Sequence, residues 1–186
     1  MLETAGGVLV IDAPEGIAET LRQRGLTPSA LLLTHQHFDH VEHAKEVSRM
    51  GAPIYAFSSY SHELILDEAA QRWGIPITVE PFEVDHLLEG KSKLEICGLA
   101  FELLHVPGHS PDSVVFRLPD ADTAFTGDTV FAGSIGRPDL PGGDYQLLLS
   151  GIREKLLTLP NQTRLLPGHG PETTPAQENA SNPYFR

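Results

Sequence analysis

Three histidines and one aspartate occupy residues 35–40, in the stretch HQHFDH. Imidazole and carboxylate groups are ligands that suit zinc, iron or manganese, so this stretch predicts a metal site. On a regular strand His40 would point to the face opposite His35 and Asp39, and the stretch is therefore expected to form an irregular loop. Four ligands this close in the sequence leave too little space around a single ion, so the spacing favours two metal ions.

Three further candidate ligands follow apolar runs elsewhere in the chain. They are His109 in HVPGHS, Asp128 in FTGDTVF and His169 in LLPGHG. Each lies beside a glycine, which lets the backbone turn sharply and bring the next side chain back to the sheet edge. The stretch HQHFDH itself follows the buried-strand pattern ALLLTH, and open α/β sheets bind ligands where such strands end. We therefore expect the candidate ligands, His37 included, at the ends of strands.

The elements that would position these residues alternate between short apolar runs and segments of helical period, which is typical of a layered α/β domain. The first half alternates strands and helices, from GVLVID to the helix SYSHELILDEAAQRWG. The second half contains a run of strands, then the helix DYQLLLSGIREKLLTL and the strand TRLLPG. This order predicts two stacked sheets with helices outside. With 186 residues and 40% hydrophobic content, residues 1–186 are expected to form a single domain.

The composition argues against several classes of partner. The chain has 25 acidic and 13 basic side chains and a net charge of -12, which disfavours nucleic acids and anionic membrane surfaces. The single cysteine excludes an internal disulfide and a cysteine-rich metal cluster. We see no signal peptide and no apolar run near the ~20 residues that span a bilayer, so a cytoplasmic protein is expected.

The motifs THQHFDH, PGHS, GDTVFAGSIGRPDLPGG and PGHG together resemble the metallo-β-lactamase superfamily, and within it the glyoxalase II (hydroxyacylglutathione hydrolase)-like group. The resemblance runs from about Val8 to the carboxyl terminus. It implies an α/β fold of the αβ/βα sandwich type, with two stacked mixed sheets and outer helices. It further implies two sets of metal ligands and one bridging ligand, which are His35, His37 and His109 for the first ion, Asp39, His40 and His169 for the second, and Asp128 between them.

The chemistry implied is hydrolysis assisted by two divalent ions, with zinc expected and iron or manganese as alternatives. Two such ions hold a bridging water and lower its pKa, so that hydroxide can attack a carbonyl near neutral pH while Asp39 orients it. A thiolate can leave without a proton donor, which suits a small acyl thioester such as S-lactoylglutathione. A lactonase, a β-lactamase-like hydrolase and a persulfide dioxygenase with one iron remain alternatives within the same superfamily.

Departures from the family pattern refine these expectations. The carboxyl-terminal helical domain with which glyoxalase II enzymes bind glutathione is expected to be missing, because the sequence ends at NPYFR. Arg137 matches the family's basic substrate-binding residue, but Asp139 replaces the aromatic residue expected two positions later.

The one or two strands that usually precede GVLVID are expected to be missing, and the exposed sheet edge predicts a homodimer through the amino-terminal strand. Of the remaining histidines, His43 is expected to face solvent or to pack rather than to bind metal, and His62, His86 and His105 are expected to be structural.

Overall fold

The computed structural model describes all 186 residues, which form twelve strands and seven α-helices, together with a π-helix (Ile152–Leu156) and two 3₁₀-helices (Pro119–Ala121 and Pro183–Phe185). The strands are β1 (Leu2–Thr4), β2 (Gly7–Ile11), β3 (Pro28–Leu32), β4 (Ile54–Ala56), β5 (His86–Leu87), β6 (Lys93–Ile96), β7 (Leu99–His105), β8 (Val114–Leu118), β9 (Thr123–Gly127), β10 (Val130–Phe131), β11 (Ser134–Ile135) and β12 (Arg164–Pro167). The helices are α1 (Ile17–Gln23), α2 (Phe38–Val41), α3 (Ala44–Arg49), α4 (His62–Ile65), α5 (Asp67–Arg72), α6 (Tyr145–Gly151) and α7 (Pro175–Ser181). These elements fall into two units, Met1–Gly90 with Glu95–Gly98, and Lys91–Leu94 with Leu99–Arg186.

The sheet of the first unit has the strand order β1-β2-β3-β4-β5. β1 is antiparallel to β2, whereas β2, β3, β4 and β5 run parallel. Four successive residues from Ala30 to Leu33 are fully buried, so both faces of β3 are covered, as the triple leucine predicts. The core of this unit is built from β3 together with apolar residues of α1 and α3, including Leu21 and Val47. The carboxyl ends of β2, β3 and β4 consequently meet at one edge.

The sheet of the second unit has the order β12-β9-β8-β7-β6. β9 and β12 are parallel, and β8 is antiparallel to both β7 and β9. β7, β9 and β12 therefore end at the same edge of this sheet. Leu148 and Ile152 are fully buried in the core of this unit. α6 begins after Asp144, whose carboxylate accepts a 2.9 Å hydrogen bond from the backbone N–H of Leu147.

Several elements differ from the sequence-based prediction. The segment 59–74 forms two short helices, α4 and α5, because Leu66 adopts a left-handed conformation (φ 59°) that interrupts the helix. The strand β1 lies ahead of GVLVID, although no strand was predicted there. The strand β5 and the hairpin of β10 and β11 also lack a clear sequence signal, since strands of two residues show no periodicity. The helix α7 was not predicted, although Thr174 caps it and Pro175 is its first residue, a pattern typical of a helix start. No helix combines the length and the apolar character needed to cross a membrane.

Candidate metal centre

Four of the candidate ligands belong to the first unit, in the segment 35–40 that follows β3. Residues 35–37 follow an irregular path, as expected, and Asp39 and His40 then lie on the one-turn helix α2. His40 donates its backbone N–H to the carbonyl oxygen of His37 (2.9 Å), which closes this turn. Because the backbone changes from loop to helical turn, side chains of odd-numbered and even-numbered residues can lie on the same side. On a continuous strand they would point to opposite faces.

The three imidazoles of this stretch are packed against each other. The ring centroids of His35 and His37 are 4.6 Å apart, and those of His35 and His40 are 4.1 Å apart. All three histidines are at least 96% buried, since their exposed fractions are 1%, 4% and 4%. The carboxylate of Asp39 is 39% exposed and lies 3.9 Å from Nε2 of His40. The ligand group therefore has a buried imidazole side and a carboxylate that solvent can reach.

Asp12, at the end of β2, orients two of these histidines. Its carboxylate accepts hydrogen bonds from Nδ1 of His40 (2.9 Å), from the backbone N–H of Thr34 (2.7 Å) and from the Thr34 hydroxyl (2.8 Å). Because the Thr34 hydroxyl proton points to Asp12, its oxygen accepts from Nδ1 of His35 (3.1 Å). Asp12 is only 9% exposed, so these interactions are little screened.

We predict that Asp12→Asn weakens metal binding about 10- to 100-fold, the usual cost of losing a group that orients a metal-binding imidazole. The new amide would direct its N–H₂ group at Nδ1 of His40, so the two donors would oppose each other. Competition with a chromogenic chelator measures the affinity. Asp85→Asn is the matched control, because Asp85 also accepts a backbone N–H in this unit, from Ile54 (2.8 Å). An unchanged affinity in the Asp12 variant would contradict this role.

The other three candidate ligands lie in the second unit, at the common edge of its sheet. Asp128 directly follows β9, His169 follows β12, and His109 lies in the loop after β7. One oxygen of Asp128, Oδ2, lies 3.7 Å from Nε2 of His109 and 3.6 Å from Nε2 of His169. Asp128 and His109 are buried, whereas the His169 side chain is 57% exposed. One carboxylate thus faces two imidazole nitrogens.

The loop that follows β11 holds this arrangement together. A Cβ atom at Gly136 would lie 1.8 Å from the carbonyl oxygen of Asp128 and 3.1 Å from Cβ of His109, so only glycine fits there. The next residue, Arg137, accepts a 2.9 Å hydrogen bond on its carbonyl oxygen from Nδ1 of His109. The backbone of these two residues therefore fixes the position of Asp128 and the orientation of the His109 ring.

The donor set fits divalent metal ions. In His35, His40 and His109 the hydrogen bond made by Nδ1 places the proton on that atom and the lone pair on Nε2, which is the form that binds metal. Metal–nitrogen and metal–oxygen distances of ~2.0–2.2 Å at a tetrahedral ion imply ligand separations near ~3.4 Å. The separations of 3.6 and 3.7 Å around Asp128 are close to that value.

A family model described as the metallo-β-lactamase superfamily matches residues 1–169. The chain belongs to the metallo-β-lactamase superfamily. Its two five-stranded sheets and their helices are those of the metallo-β-lactamase fold, as the motifs imply.

Two relatives of this superfamily member are similar over most of their length. The probable metallo-hydrolase YqgX of Bacillus subtilis is 44% identical over 173 residues, which cover 91% of this chain and 81% of that protein. The hydroxyacylglutathione hydrolase GloC of Haemophilus influenzae is 42% identical over 184 residues, covering 95% of this chain and 86% of that protein. These similarities agree with the resemblance to the glyoxalase II-like group.

Two solved structures share the metallo-β-lactamase fold with this chain. BLEG-1, described as a B3 metallo-β-lactamase, superposes with a TM-score of 0.86 at 38% identity and covers 99% of this chain and 91% of its own. TTHA1623, solved in a di-iron-bound form, superposes with a TM-score of 0.82 at 40% identity and covers 98% of this chain and 92% of its own.

Arg137 points its side chain at Asp139. The guanidinium donates two hydrogen bonds to the carboxylate, from Nε (3.0 Å) and from Nη2 (2.9 Å). This pairing raises the pKa of Arg137 and lowers the pKa of Asp139, so both groups stay charged near neutral pH. Both side chains are about two-thirds exposed, at 66% and 64%. The arginine is therefore held in place next to the His109 loop but is accessible to an anionic ligand.

The four remaining histidines contact groups outside the candidate set. Nδ1 of His43 accepts the backbone N–H of Gly16 (3.2 Å), and the ring of His86 stacks on Tyr55 at 4.3 Å. His62 lies against the Tyr60 ring, and Nε2 of His105 lies 2.8 Å from the carbonyl oxygen of Pro111.

Two residues that position candidate ligands, Asp12 and Gly136, are not among the residues predicted from the motifs. Asp12 directly follows β2, just as the candidate ligands follow other strands. The strand pattern GVLVID therefore places a carboxylate at the edge of the sheet, and this signal could have identified Asp12. Gly136 stands in a loop rich in glycine, where nothing in the sequence distinguishes it from Gly133.

Proposed function

We propose that this protein is a dinuclear metal-dependent hydrolase of a small acyl thioester such as S-lactoylglutathione, with zinc as the expected metal. The proposal depends on the position of the Asp128 carboxylate. Its Oδ2 atom faces the Nε2 atoms of both His109 and His169. A carboxylate between two imidazoles is suited to bridge two ions. The di-iron form of TTHA1623 supports a pair of ions, and the 42% identity to GloC supports a thioester substrate.

The proposed ligands divide into two sets, and Asp128 would contribute to both. One set is His35, His37 and His109, and the other is Asp39, His40 and His169. Two divalent ions held there would supply an activated water near neutral pH and stabilise the negative charge that develops on the carbonyl oxygen.

The protein's own groups orient the reactants. The Asp39 carboxylate is exposed enough for water to reach it, and we assign it the role of accepting a hydrogen bond from the attacking water. The leaving thiolate has a parent thiol with pKa ≈ 8.5 and needs no proton from the protein. Arg137, held against the His109 loop, is placed to bind a carboxylate of the substrate.

Incubation of the purified, metal-loaded protein with S-lactoylglutathione tests the proposal. Thiol release is followed with a chromogenic thiol reagent, before and after treatment with a chelator. We expect hydrolysis that chelation abolishes and that added zinc restores. Thiol release that survives complete metal removal, or the absence of release from a fully loaded protein, would contradict the proposal.

The pair of Arg137 and Asp139 yields a prediction about substrate affinity. An anionic substrate must compete with Asp139 for the guanidinium, so Asp139→Asn is expected to lower the KM for S-lactoylglutathione about two- to fivefold, with kcat unchanged. Steady-state kinetics measure both constants. Asp120→Asn removes the same charge from an exposed turn of the same unit and is the matched control. A KM that stays the same or rises in the Asp139 variant would contradict the competition.

A β-lactam substrate is the second candidate, because BLEG-1 shares 38% of the sequence and carries that description. The bridging role proposed for Asp128 favours the thioester, since β-lactamases of the superfamily usually lack an aspartate at that position. Nitrocefin and an acyl-homoserine lactone, assayed beside S-lactoylglutathione, separate the β-lactamase and lactonase activities from the proposed one. Elemental analysis giving one iron per chain would instead favour a persulfide dioxygenase.

A further inference from the structure

A buried carboxylate on the carboxyl-terminal helix lies outside the candidate ligand set. Glu178 of α7 is only 1% exposed. Its carboxylate accepts hydrogen bonds from the backbone N–H of Gly133 (3.0 Å), from Nδ2 of Asn182 (2.7 Å) and from the hydroxyl of Thr173. A buried carboxylate is costly unless such donors compensate for the lost hydration, and here three of them do.

Asn182 extends this interaction by one helical turn. The residue is fully buried, and its Nδ2 group also donates to the carbonyl oxygen of Ser134 (3.0 Å). Glu178 and Asn182 thus bind two adjacent residues of the hairpin, Gly133 in the turn between β10 and β11 and Ser134 at the start of β11. We name these four residues and Thr173 the α7 clamp.

The clamped hairpin leads directly to the candidate ligands of the same unit. β10 begins two residues after Asp128, and the ring of Phe131 lies 6.5 Å from the ring of His169. After β11, Gly136 packs against the carbonyl oxygen of Asp128, and the next carbonyl accepts from Nδ1 of His109. A displacement of the hairpin would therefore change the positions of all three candidate ligands of this unit, Asp128, His109 and His169.

We propose that Glu178 and Asn182 are positioning residues, which act through the hairpin to hold Asp128, His109 and His169 in the geometry that binds metal. The inference rests on the proposed function for the identity of those ligands. The chemistry of the clamp supports it, because apolar side chains could fill the same space but would not fix the hairpin in one arrangement. A fully hydrogen-bonded polar network specifies a single geometry.

Asn182→Ala and Glu178→Ala test the proposal through zinc affinity, measured by chelator competition. Both variants are expected to bind zinc at least about 10-fold more weakly, the range found when groups that support metal ligands are removed. Glu178→Gln is expected to stay within about threefold of the parent protein. Its amide can still accept from Gly133 and donate to Thr173, whose hydroxyl can turn to Gln177 (3.1 Å).

Asn179→Ala is the matched control on the same helix. Asn179 donates to the carbonyl oxygen of Leu157 (3.2 Å) and therefore attaches α7 to a different part of the unit. This variant is expected to lower the melting temperature of the metal-free protein as the clamp variants do, but to leave zinc affinity unchanged. Equal zinc affinities in all variants, or equal losses in the clamp variants and the control, would overturn the proposal.

Hydrogen exchange in the unmodified protein tests the same coupling should a clamp variant fail to fold. Because coupling is reciprocal, zinc binding is expected to slow exchange of the Gly133 amide, which donates to Glu178. Exchange at Gly133 that zinc does not change would overturn the proposal. These readouts need zinc binding but no substrate, so a protein that binds zinc and fails to hydrolyse thioesters would contradict the proposed function alone.

Discussion

The variant Asp128→Ala is expected to lose about three orders of magnitude in kcat/KM and to retain at most one metal ion per chain. The carboxylate faces His109 and His169 through one oxygen, so its removal deprives both proposed ions of a ligand. Charge stabilisation by a bound metal contributes several kcal/mol at the transition state, and each ~1.4 kcal/mol is a factor of ten in rate. Elemental analysis and steady-state kinetics on S-lactoylglutathione measure the two effects.

Asp122→Asn is the control for this experiment, because Asp122 precedes β9 whereas Asp128 follows it. Its carboxylate accepts from the hydroxyl of Thr163 (2.6 Å), an interaction that asparagine retains, and asparagine tolerates its left-handed φ of 46°. The control is expected to keep two ions and full activity. An Asp128→Ala protein that keeps both ions and more than a tenth of the activity would contradict the bridging role.

Gly136→Ala is expected to produce the second large effect, although the side chain added is a single methyl group. Its Cβ would lie 1.8 Å from the carbonyl oxygen of Asp128, which forces the backbone apart. Overpacking of this kind costs typically ~1–3 kcal/mol, and backbone atoms cannot yield as a flexible side chain does. We expect a lower free energy of unfolding and zinc affinity reduced at least about 10-fold, because Asp128 and His109 both move.

Chemical denaturation and chelator competition measure these changes. Gly25→Ala is the comparison, since Gly25 follows α1 in open space and carries only the cost of its positive φ of 64°. The comparison variant should lose some stability while its zinc affinity stays the same. A Gly136→Ala protein with the zinc affinity of its parent would show that the loop does not position the ligands.

The sequence allowed the candidate ligands to be predicted because each follows a strand and stands beside a glycine or within HQHFDH. Parallel strands end at one edge, so residues such as Asp128 and His169 could be expected close together before any distance was known. The irregular path of residues 35–37 was predictable for a similar reason, since regular strand periodicity could not unite ligands of odd and even number.

The supporting residues could not be predicted in the same way. Glu178 lies 45 positions from Gly133 in the sequence. The helix α7 has no extended apolar face, so nothing in its sequence indicates that Glu178 is on a buried side. The break at Leu66 depends on a left-handed φ that leucine rarely adopts, so the segment around it looks like one helix. Such features follow from tertiary packing, which the local pattern does not encode.

Anomalous scattering from one crystal of the metal-loaded protein, recorded at the zinc, iron and manganese edges, tests the central claim most directly. The proposal predicts two peaks of one element, the first ligated by His35, His37 and His109, the second by Asp39, His40 and His169, with Asp128 touching both. A single peak, or two peaks with Asp128 or His169 beyond coordinating distance, would contradict it.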